Sequence, residues 1–286
     1  MGLTWPVVAL VLLGALLHAG WNALIKAGED KALDTALMHS LGFVAALPVL
    51  ALAGLPPPAA WPWIAASLTV HVGYYIALTG AYRHGDLGLT YPIMRGLAPL
   101  LVALASSPLL GEPLALSAWV GIAGISLGVL LVGLSRGGGS AASHARALRF
   151  AFMNAAIIAT YTVIDGIGVR AAGDAVPYVA ALFLVDGLPY FTLVMWRRGA
   201  DRPAAWRYLA ARWPVALLGM LASAGSYGIA LWAMTRAPVA AVAALRETSV
   251  LFAALIGVRW LKEGFGVRRA AGTLLIVGGV MALRGA

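Results

Sequence analysis

Seven ionisable side chains inside long apolar stretches of this 286-residue sequence are candidates for chemistry. They are His18, His71, Arg95, Asp165, Asp186, Arg246 and Glu247. An ionisable residue at membrane depth costs at least ~2.5–3.5 kcal/mol, so such residues usually face a bundle interior or a cavity and often have a function. A buried carboxylate can carry protons for coupled transport, and an arginine can bind the carboxylate of a substrate.

Two of these residues are arginines in corresponding positions of the two halves of the chain. Arg95 stands in YPIMRGLAP (91–99), and Arg246 stands in VAALRETSV (242–250). No carboxylate lies within one turn of Arg95, and Glu247 points about 100° away from Arg246 around a helix. Each arginine therefore needs a carboxylate or carbonyls on another helix, or an anionic ligand.

Asp165 and Asp186 are plausible partners for the arginines in the opposite half of the chain. The shared position of Arg95 and Arg246 favours a structural role as paired clamps on loop carbonyls. Binding of a substrate carboxylate by Arg95 is the alternative. We assign structural or coupling roles to Arg246, Glu247, Asp165 and Asp186, together with Pro92 and Pro99. Those prolines flank Arg95 and permit either a moving bend or a static kink.

Aromatic and polar side chains recur at helical spacing on several apolar stretches. His71, Tyr74, Tyr75 and Tyr82 fall on one helical stripe, and Trp21 and Asn22 share a stripe with His18. Tyrosines offer wide apolar surfaces with a polar tip. The alternative for His71 is a hydrogen bond at a helix–helix contact. We predict substrate contact for His71, Tyr74, Tyr75, Tyr82, Trp21, Asn22, Tyr161, Tyr227 and, secondarily, Arg95.

The composition explains what positions these residues. Hydrophobic residues make up 62% of the chain and charged residues 11%, against roughly 25% charged in soluble domains. Each helical span needs about 20 apolar residues. We predict an all-α polytopic membrane protein with ten transmembrane helices, at 5–27, 32–53, 61–82, 87–110, 114–134, 147–171, 175–196, 213–235, 238–260 and 265–284.

The chain divides near its middle at a Gly/Ser-rich linker, predicted at 135–146 between five-helix repeats at 1–134 and 147–286. An offset of 151 residues aligns four matched pairs: Arg95 with Arg246, Glu112 with Glu263, Gly121 with Gly272, and Gly128 with Gly279. Because five spans are an odd number, the second repeat must be inverted relative to the first. Inverted repeats are typical of secondary transporters, whose substrate site lies near the midplane around a central cavity.

Glycines in the fifth and tenth spans permit close helix contact. Packing within one chain is the favoured use of Gly121, Gly124, Gly128, Gly272, Gly278 and Gly279. Dimerisation is the other, so we expect a monomer or a homodimer.

Several other classes of protein are disfavoured. The chain has no cysteine, which excludes disulfides and cysteine-based zinc clusters. GISLG (124–128) fits the nucleophile-elbow pattern but lies inside an apolar helix, without the strand–turn–helix context. The sequence contains no P-loop, HExxH or complete GxGxxG motif. We therefore predict no enzyme activity, cofactor or metal. The net charge of +9 comes from loops between spans, so we predict a lipid bilayer and a small-molecule substrate as partners, without nucleic acid.

The whole chain resembles the drug/metabolite transporter superfamily, specifically its EamA-type ten-span exporters. The likeness rests on YPIMRGLAP (91–99) and on RETSVLFAALIGVRWLKE (246–263). It also rests on the acidic motifs that open the fifth and tenth spans, GEP (111–113) and LKE (261–263). It implies a bacterial inner-membrane exporter of small metabolites, with YddG-like amino-acid exporters as the favoured type. The aromatic stripe suits aromatic or bulky apolar amino acids moved by alternating access. Exporters of cationic drugs or sugars are the alternatives, and an intramembrane enzyme is a remote one.

The positive-inside rule predicts the orientation. Apart from Arg95 and Arg246, fifteen of the remaining 18 Lys and Arg residues fall on the side opposite the termini. Basic loops stay in the cytoplasm, so both termini should be periplasmic.

An enzyme reporter that is active only in the periplasm, fused to the C-terminus, should therefore be active. An active cytoplasm-dependent reporter at the same place would reverse the orientation.

Overall fold

The computed structural model describes residues 2–84, 87–133, 141–261 and 266–285, and this part of the chain is helical without strands. The helices are α1 (Trp5–Ala27), α2 (Lys31–Ala53), α3 (Trp61–His84), α4 (Leu87–Leu110), α5 (Leu116–Gly133), α6 (Ala141–Ala172), α7 (Ala175–Arg198), α8 (Arg202–Met234), α9 (Val239–Arg246), α10 (Ser249–Leu261) and α11 (Val267–Arg284). Short 3₁₀ turns at Pro58–Ala60 and Gly199–Asp201 precede α3 and α8.

Seven stretches of the described residues are long and apolar enough to cross a membrane. They include α1, α2, α5 and the 60-residue run Ala175–Met234, which takes in α7 and α8. The chain is therefore a multi-pass membrane protein of helices. The count of ten spans and the inverted repeat remain predictions.

Three predicted spans differ from the observed helices. The ninth span, predicted over 238–260, is two helices, because the backbone turns at Glu247 and Thr248 between α9 and α10. α6 begins at Ala141 and α8 at Arg202, well before the predicted starts at 147 and 213. Hydropathy marks where apolar side chains begin, whereas a helix can extend into a polar region. Pro203 in the first turn of α8 favours the earlier start.

The helix starts and ends follow from local chemistry. The Asp30 carboxylate accepts the Leu33 N–H at 3.0 Å and caps α2, and the Asp174 carboxylate accepts the Val176 N–H at 2.9 Å and caps α7. Gly54 ends α2 with φ +83°, a conformation that a side chain disfavours. These caps fix the short turns that reverse the chain between helices.

Helices α5 and α11 approach each other backbone to backbone through four glycines. A Cβ atom added to Gly128 would lie 2.6 Å from the Gly272 carbonyl oxygen, and one added to Gly279 would lie 2.6 Å from that of Gly121. The contact is antiparallel and reciprocal, because each glycine meets the one at the corresponding height. These four glycines therefore pack within one chain, which is the use that the sequence favoured. Gly278 takes no part in this contact, since a Cβ there would meet nothing within 4 Å.

The other helices of the first half pack against helices of the second. α1 contacts α8, α2 contacts α7, and both α3 and α4 contact α6. Because the two halves interlock in this way, the space between them is bounded by helices from both. That central space is where the polar residues of the apolar stretches come together.

One carboxylate joins the halves at the end of the bundle where α6 ends and α9 begins. Glu112, just after α4, forms an ion pair with Arg170 and accepts the Val239 N–H at the start of α9 at 3.0 Å. Arg170 also donates to the carbonyl oxygens of Met234 at 2.8 Å and Ala237 at 3.2 Å. This network, which we call the Glu112–Arg170 network, holds α6, α8 and α9 to the first half.

Adjacent glycines in α11 test the backbone contact. Gly279→Ala should lower the thermal stability of the detergent-purified protein, because its methyl group would overlap the Gly121 carbonyl. Overpacking of this kind typically costs about 1–3 kcal/mol. Gly278→Ala, one residue away with open space, should leave the melting temperature unchanged or slightly raised. Equal effects of the two substitutions would contradict the assigned α5–α11 contact.

Candidate substrate cavity

A cavity of about 240 Å³ occupies the centre of the bundle. Its walls come from α1, α2, α3, α4, α6, α7, α8 and α9. The sequence-predicted residues that the structure places in its walls are Trp21, Asn22, His71, Tyr74, Arg95, Tyr161, Asp186, Tyr227 and Arg246. The side chains of Tyr75 and Tyr82 lie outside the described residues.

The cavity extends from the middle of the bundle towards one end. Its lining includes Trp21 and Ile25 near the end of α1, Thr35 and His39 near the start of α2, and Tyr91 near the start of α4. These positions lie towards the loops that carry most of the basic residues. The opposite end is held by the Glu112–Arg170 network.

Aromatic side chains form one wall. The His71 ring stacks on Tyr161 with centroids 4.5 Å apart and planes 29° apart, and Tyr74 meets Tyr161 edge to face at 6.3 Å. His71 Nδ1 lies 2.8 Å from the Ser67 carbonyl oxygen. Because a carbonyl oxygen only accepts, Nδ1 carries the hydrogen and the neutral ring can accept a hydrogen bond at Nε2. His71 is thus hydrogen-bonded within its own helix.

Arg95 has a partner that the sequence did not indicate. Its Nε lies 2.8 Å from Glu247 Oε2, and both side chains are largely buried. The Nε–H is not aligned with that oxygen, so the contact is an ion pair and not a directed hydrogen bond. The predicted partners Asp165 and Asp186 are therefore wrong for Arg95. The sequence analysis considered Glu247 only with respect to Arg246, from which it points away, and no sequence signal places it beside Arg95. Glu247 directly follows the last residue of α9.

Arg246 has a different environment. Its guanidinium lies over the Tyr227 ring, 5.4 Å from the centroid, and the side chain is partly exposed at the cavity wall. Within the described part of the chain, no carboxylate oxygen lies within 4 Å of it. The expectation that Arg95 and Arg246 act as matching clamps is therefore wrong, because one arginine is paired with a carboxylate and the other lies on an aromatic face.

Asp165 lies behind the cavity wall and does not line the cavity. It is 1% exposed, and it accepts hydrogen bonds from the hydroxyls of Tyr227 and, at 3.1 Å, Tyr178. Gly168 leaves room for the second tyrosine, since a Cβ there would lie 2.2 Å from the Tyr178 hydroxyl. The sequence analysis does not select Tyr178, because its spacing from Asp186 along one helix gives no signal that it contacts α6. Tyr227 thus links the cavity surface to this buried carboxylate.

Asp186 lines the cavity beside a histidine that the sequence had not singled out. His39 Nδ1 lies 3.1 Å from Asp186 Oδ2, because α2 packs along α7. The two side chains are 26% and 35% exposed, so both can meet a ligand. His39 is one more ionisable residue in an apolar stretch, and that signal was present in the sequence.

Pro92 and Pro99 lie inside one continuous helix, α4, which also contains Pro108. Pro92 packs on Gly133 of α5, where an added Cβ would lie 2.4 Å from the proline ring. Pro99 lies beside a small space near Arg95 and Glu247. The bend that these prolines would permit remains a prediction.

Apolar helices around a central cavity with ionisable walls define a polytopic membrane protein with a site for a small molecule. The profile of the EamA-like transporter family matches this sequence twice, over residues 5–134 and 145–285. The chain belongs to the EamA-like transporter family. It is therefore a membrane transporter of small molecules, and the resemblance to the drug/metabolite transporter superfamily is confirmed.

Solved structures support the fold. A structure titled only "Crystal structure of protein" superposes with a TM-score of 0.69, at 20% sequence identity, covering 96% of this chain and 94% of that chain. In all, 28 chains of solved structures match. No curated protein matches this sequence. At this level of identity the likeness shows a shared fold, and the substrate must be argued from the cavity itself.

A double-mutant cycle tests the pair that crosses between the halves. Glu247→Gln should strongly destabilise the protein, because removing one partner of a buried ion pair typically costs about 3–5 kcal/mol. Arg95→Gln should destabilise it by a similar amount. The double variant should be less destabilised than the sum of the two, as measured by thermal unfolding in detergent. Additive losses would show that the two side chains do not interact.

Proposed function

We propose that this protein exports amino acids with aromatic or bulky apolar side chains across the bacterial inner membrane by alternating access. The observation that carries the proposal is the aromatic wall of the cavity, where His71 stacks on Tyr161 and Tyr74 meets the same ring edge to face. Stacked and edge-to-face aromatic contacts are worth about 0.5–1.5 kcal/mol beyond burial of area. An aromatic substrate side chain gains such contacts.

The size and chemistry of the cavity support a small, charged metabolite. Its volume of about 240 Å³ lies below the roughly 300–1,000 Å³ of pockets for drug-sized ligands, so it suits a smaller molecule. Charged side chains stand at its walls beside the aromatic ones, with Arg246 on α9 and Asp186 on α7. A substrate with an apolar side chain and a charged head group matches both kinds of surface.

The closed end of the cavity supports alternating access. The cavity extends towards the basic loops, while the Glu112–Arg170 network ties the halves together at the other end. With the predicted orientation, the basic loops are cytoplasmic, so this arrangement accepts substrate from the cytoplasm. Release to the periplasm then requires Glu112 to part from Arg170 and α9 as the halves rock.

Export of cationic drugs is a second candidate, favoured by the presence of Asp186 in the cavity wall. Uptake of a cationic dye by the parent protein, without uptake of amino acids, distinguishes this function from amino-acid export. A cation exporter should lose transport of its cationic substrate when Asp186 is neutralised. Asp165 lies behind Tyr227 and should not affect cation binding directly.

Transport by purified protein in liposomes tests the aromatic wall. Uptake of labelled phenylalanine should fall about tenfold in His71→Ala and in Tyr161→Ala, because each removes one face of the stacked pair. Tyr75→Ala, on the same stripe as His71 in the sequence, is also expected to weaken transport. Phe152→Ala is the matched control, since Phe152 lies on the same helix as Tyr161 but is 54% exposed on the outer surface.

Two outcomes would count against this assignment. Uptake at the parent rate in both His71→Ala and Tyr161→Ala would remove the aromatic wall from substrate binding. Loss of uptake in Phe152→Ala equal to that in the cavity variants would show a general effect on the fold. Each variant is compared at equal amounts of inserted protein.

A further inference from the structure

We infer that the cavity recognises both charges of a zwitterionic substrate, with Arg246 binding its carboxylate and Asp186 binding its ammonium group. The inference rests on the proposed function and identifies the residues that select for the amino-acid head group. The sequence analysis gave Asp186 a structural or coupling role, and the inference gives it a role in substrate binding instead. The inference goes beyond the aromatic wall, which contacts only the side chain of the substrate.

In the part of the chain that the structure describes, Arg246 has no carboxylate partner of its own at the cavity wall. Arg95 and Arg246 both line the cavity, and Glu247 stands at 2.8 Å from Arg95. Since Glu247 is committed to Arg95, the charge of Arg246 is uncompensated by any carboxylate within 4 Å in the described part of the chain.

Arg246 is also held in place for a ligand. Its guanidinium lies over the Tyr227 ring, and the hydroxyl of that tyrosine donates to the buried Asp165. The ring therefore cannot turn away without losing its hydrogen bond to the buried carboxyl group of Asp165. A cation on an aromatic face keeps its N–H donors at the guanidinium edge, so Arg246 can still donate to a carboxylate.

The opposite charge stands on another wall of the same cavity. Among the described residues, Asp186 has no lysine or arginine nitrogen within 4 Å, and its ion-pair partner is His39, which also lines the cavity. The histidine takes one carboxylate oxygen, Oδ2. The other oxygen is available to an ammonium group.

Arg246 and Asp186 lie at comparable depths in the bundle. α7 and α9 both begin at the end that carries the Glu112–Arg170 network. At about 1.5 Å per residue, Asp186 is roughly 17 Å along α7 from Ala175, and Arg246 is roughly 11 Å along α9 from Val239. The two charges therefore face the cavity about one helical turn apart in height.

Only a ligand with both charges satisfies both residues. A purely cationic ligand would leave Arg246 without an anion, and a purely anionic ligand would leave Asp186 without a cation. Charged groups removed from water are costly unless they are paired. A zwitterion whose apolar side chain reaches the His71–Tyr161 wall meets all three surfaces at once.

Three ligands that share one side chain test the inference. Dissociation constants of phenylalanine, phenethylamine and 3-phenylpropionate are measured on the purified protein in nanodiscs by tryptophan fluorescence, to which Trp21 in the cavity wall contributes. The parent protein should bind phenylalanine at least about tenfold more tightly than each of the other two, because charge-assisted contacts are worth about 1.5–3 kcal/mol.

The variants assign each charge to its residue. Asp186→Asn should weaken phenylalanine and phenethylamine about tenfold and leave 3-phenylpropionate unchanged. Arg246→Gln should weaken phenylalanine and 3-phenylpropionate and leave phenethylamine unchanged. Matched controls are Asp201→Asn, in the exposed turn before α8, and Arg236→Gln, whose guanidinium lies over the Trp232 ring outside the cavity. Both controls should bind all three ligands like the parent.

The inference is overturned if either cavity variant weakens all three ligands equally, or if neither changes any of them. Failure of the proposed function gives a different pattern. If the parent protein transports no amino acid, the same measurements are made with the betaine of phenylalanine and with taurine. Binding of these zwitterions that depends on both Asp186 and Arg246 supports the charge assignment alone, and absence of such binding rejects it.

Discussion

The ion pair between Arg95 and Glu247 is the interaction on which the central site depends. It joins α4 of the first half to the turn after α9 of the second, so it holds the two halves together at the cavity wall. A charge buried in a bundle without a partner costs several kcal/mol, and this pairing offsets part of that cost for both residues. Because Glu247 pairs with Arg95, Arg246 has no carboxylate oxygen within 4 Å among the described residues, and it faces the cavity on the Tyr227 ring.

Two further contacts between the halves set the shape of the bundle around this pair. The glycines of α5 and α11 bring the backbones of corresponding helices together, outside the cavity walls. The Glu112–Arg170 network closes the end at which α9 begins. The glycine contact between α5 and α11 is a close packing of two backbones, whereas the Glu112–Arg170 network is made of hydrogen bonds that can exchange. This difference suits a transporter in which one interface stays fixed while the other opens.

The sequence predicted features that depend on apolar length and periodicity. It located α1 to α5 and α7 to within a few residues of their ends, and it indicated the packing role of the glycines. It also selected nine of the side chains that line the cavity. It failed where the outcome depends on contacts between distant helices. Glu247 pairs with Arg95 across the turn that follows α9. His39 meets Asp186 because α2 packs along α7. Asp165 accepts a hydrogen bond from Tyr178 instead of pairing with an arginine, because α6 packs against α7.

The substrate that the cavity carries can be measured directly. The most direct measurement is uptake by proteoliposomes of labelled amino acids, sugars and cationic dyes, each compared with liposomes that lack the protein. Uptake of amino acids with aromatic or bulky apolar side chains is expected, above that of small polar amino acids. Uptake of sugars or cationic dyes, without uptake of such amino acids, would contradict this expectation.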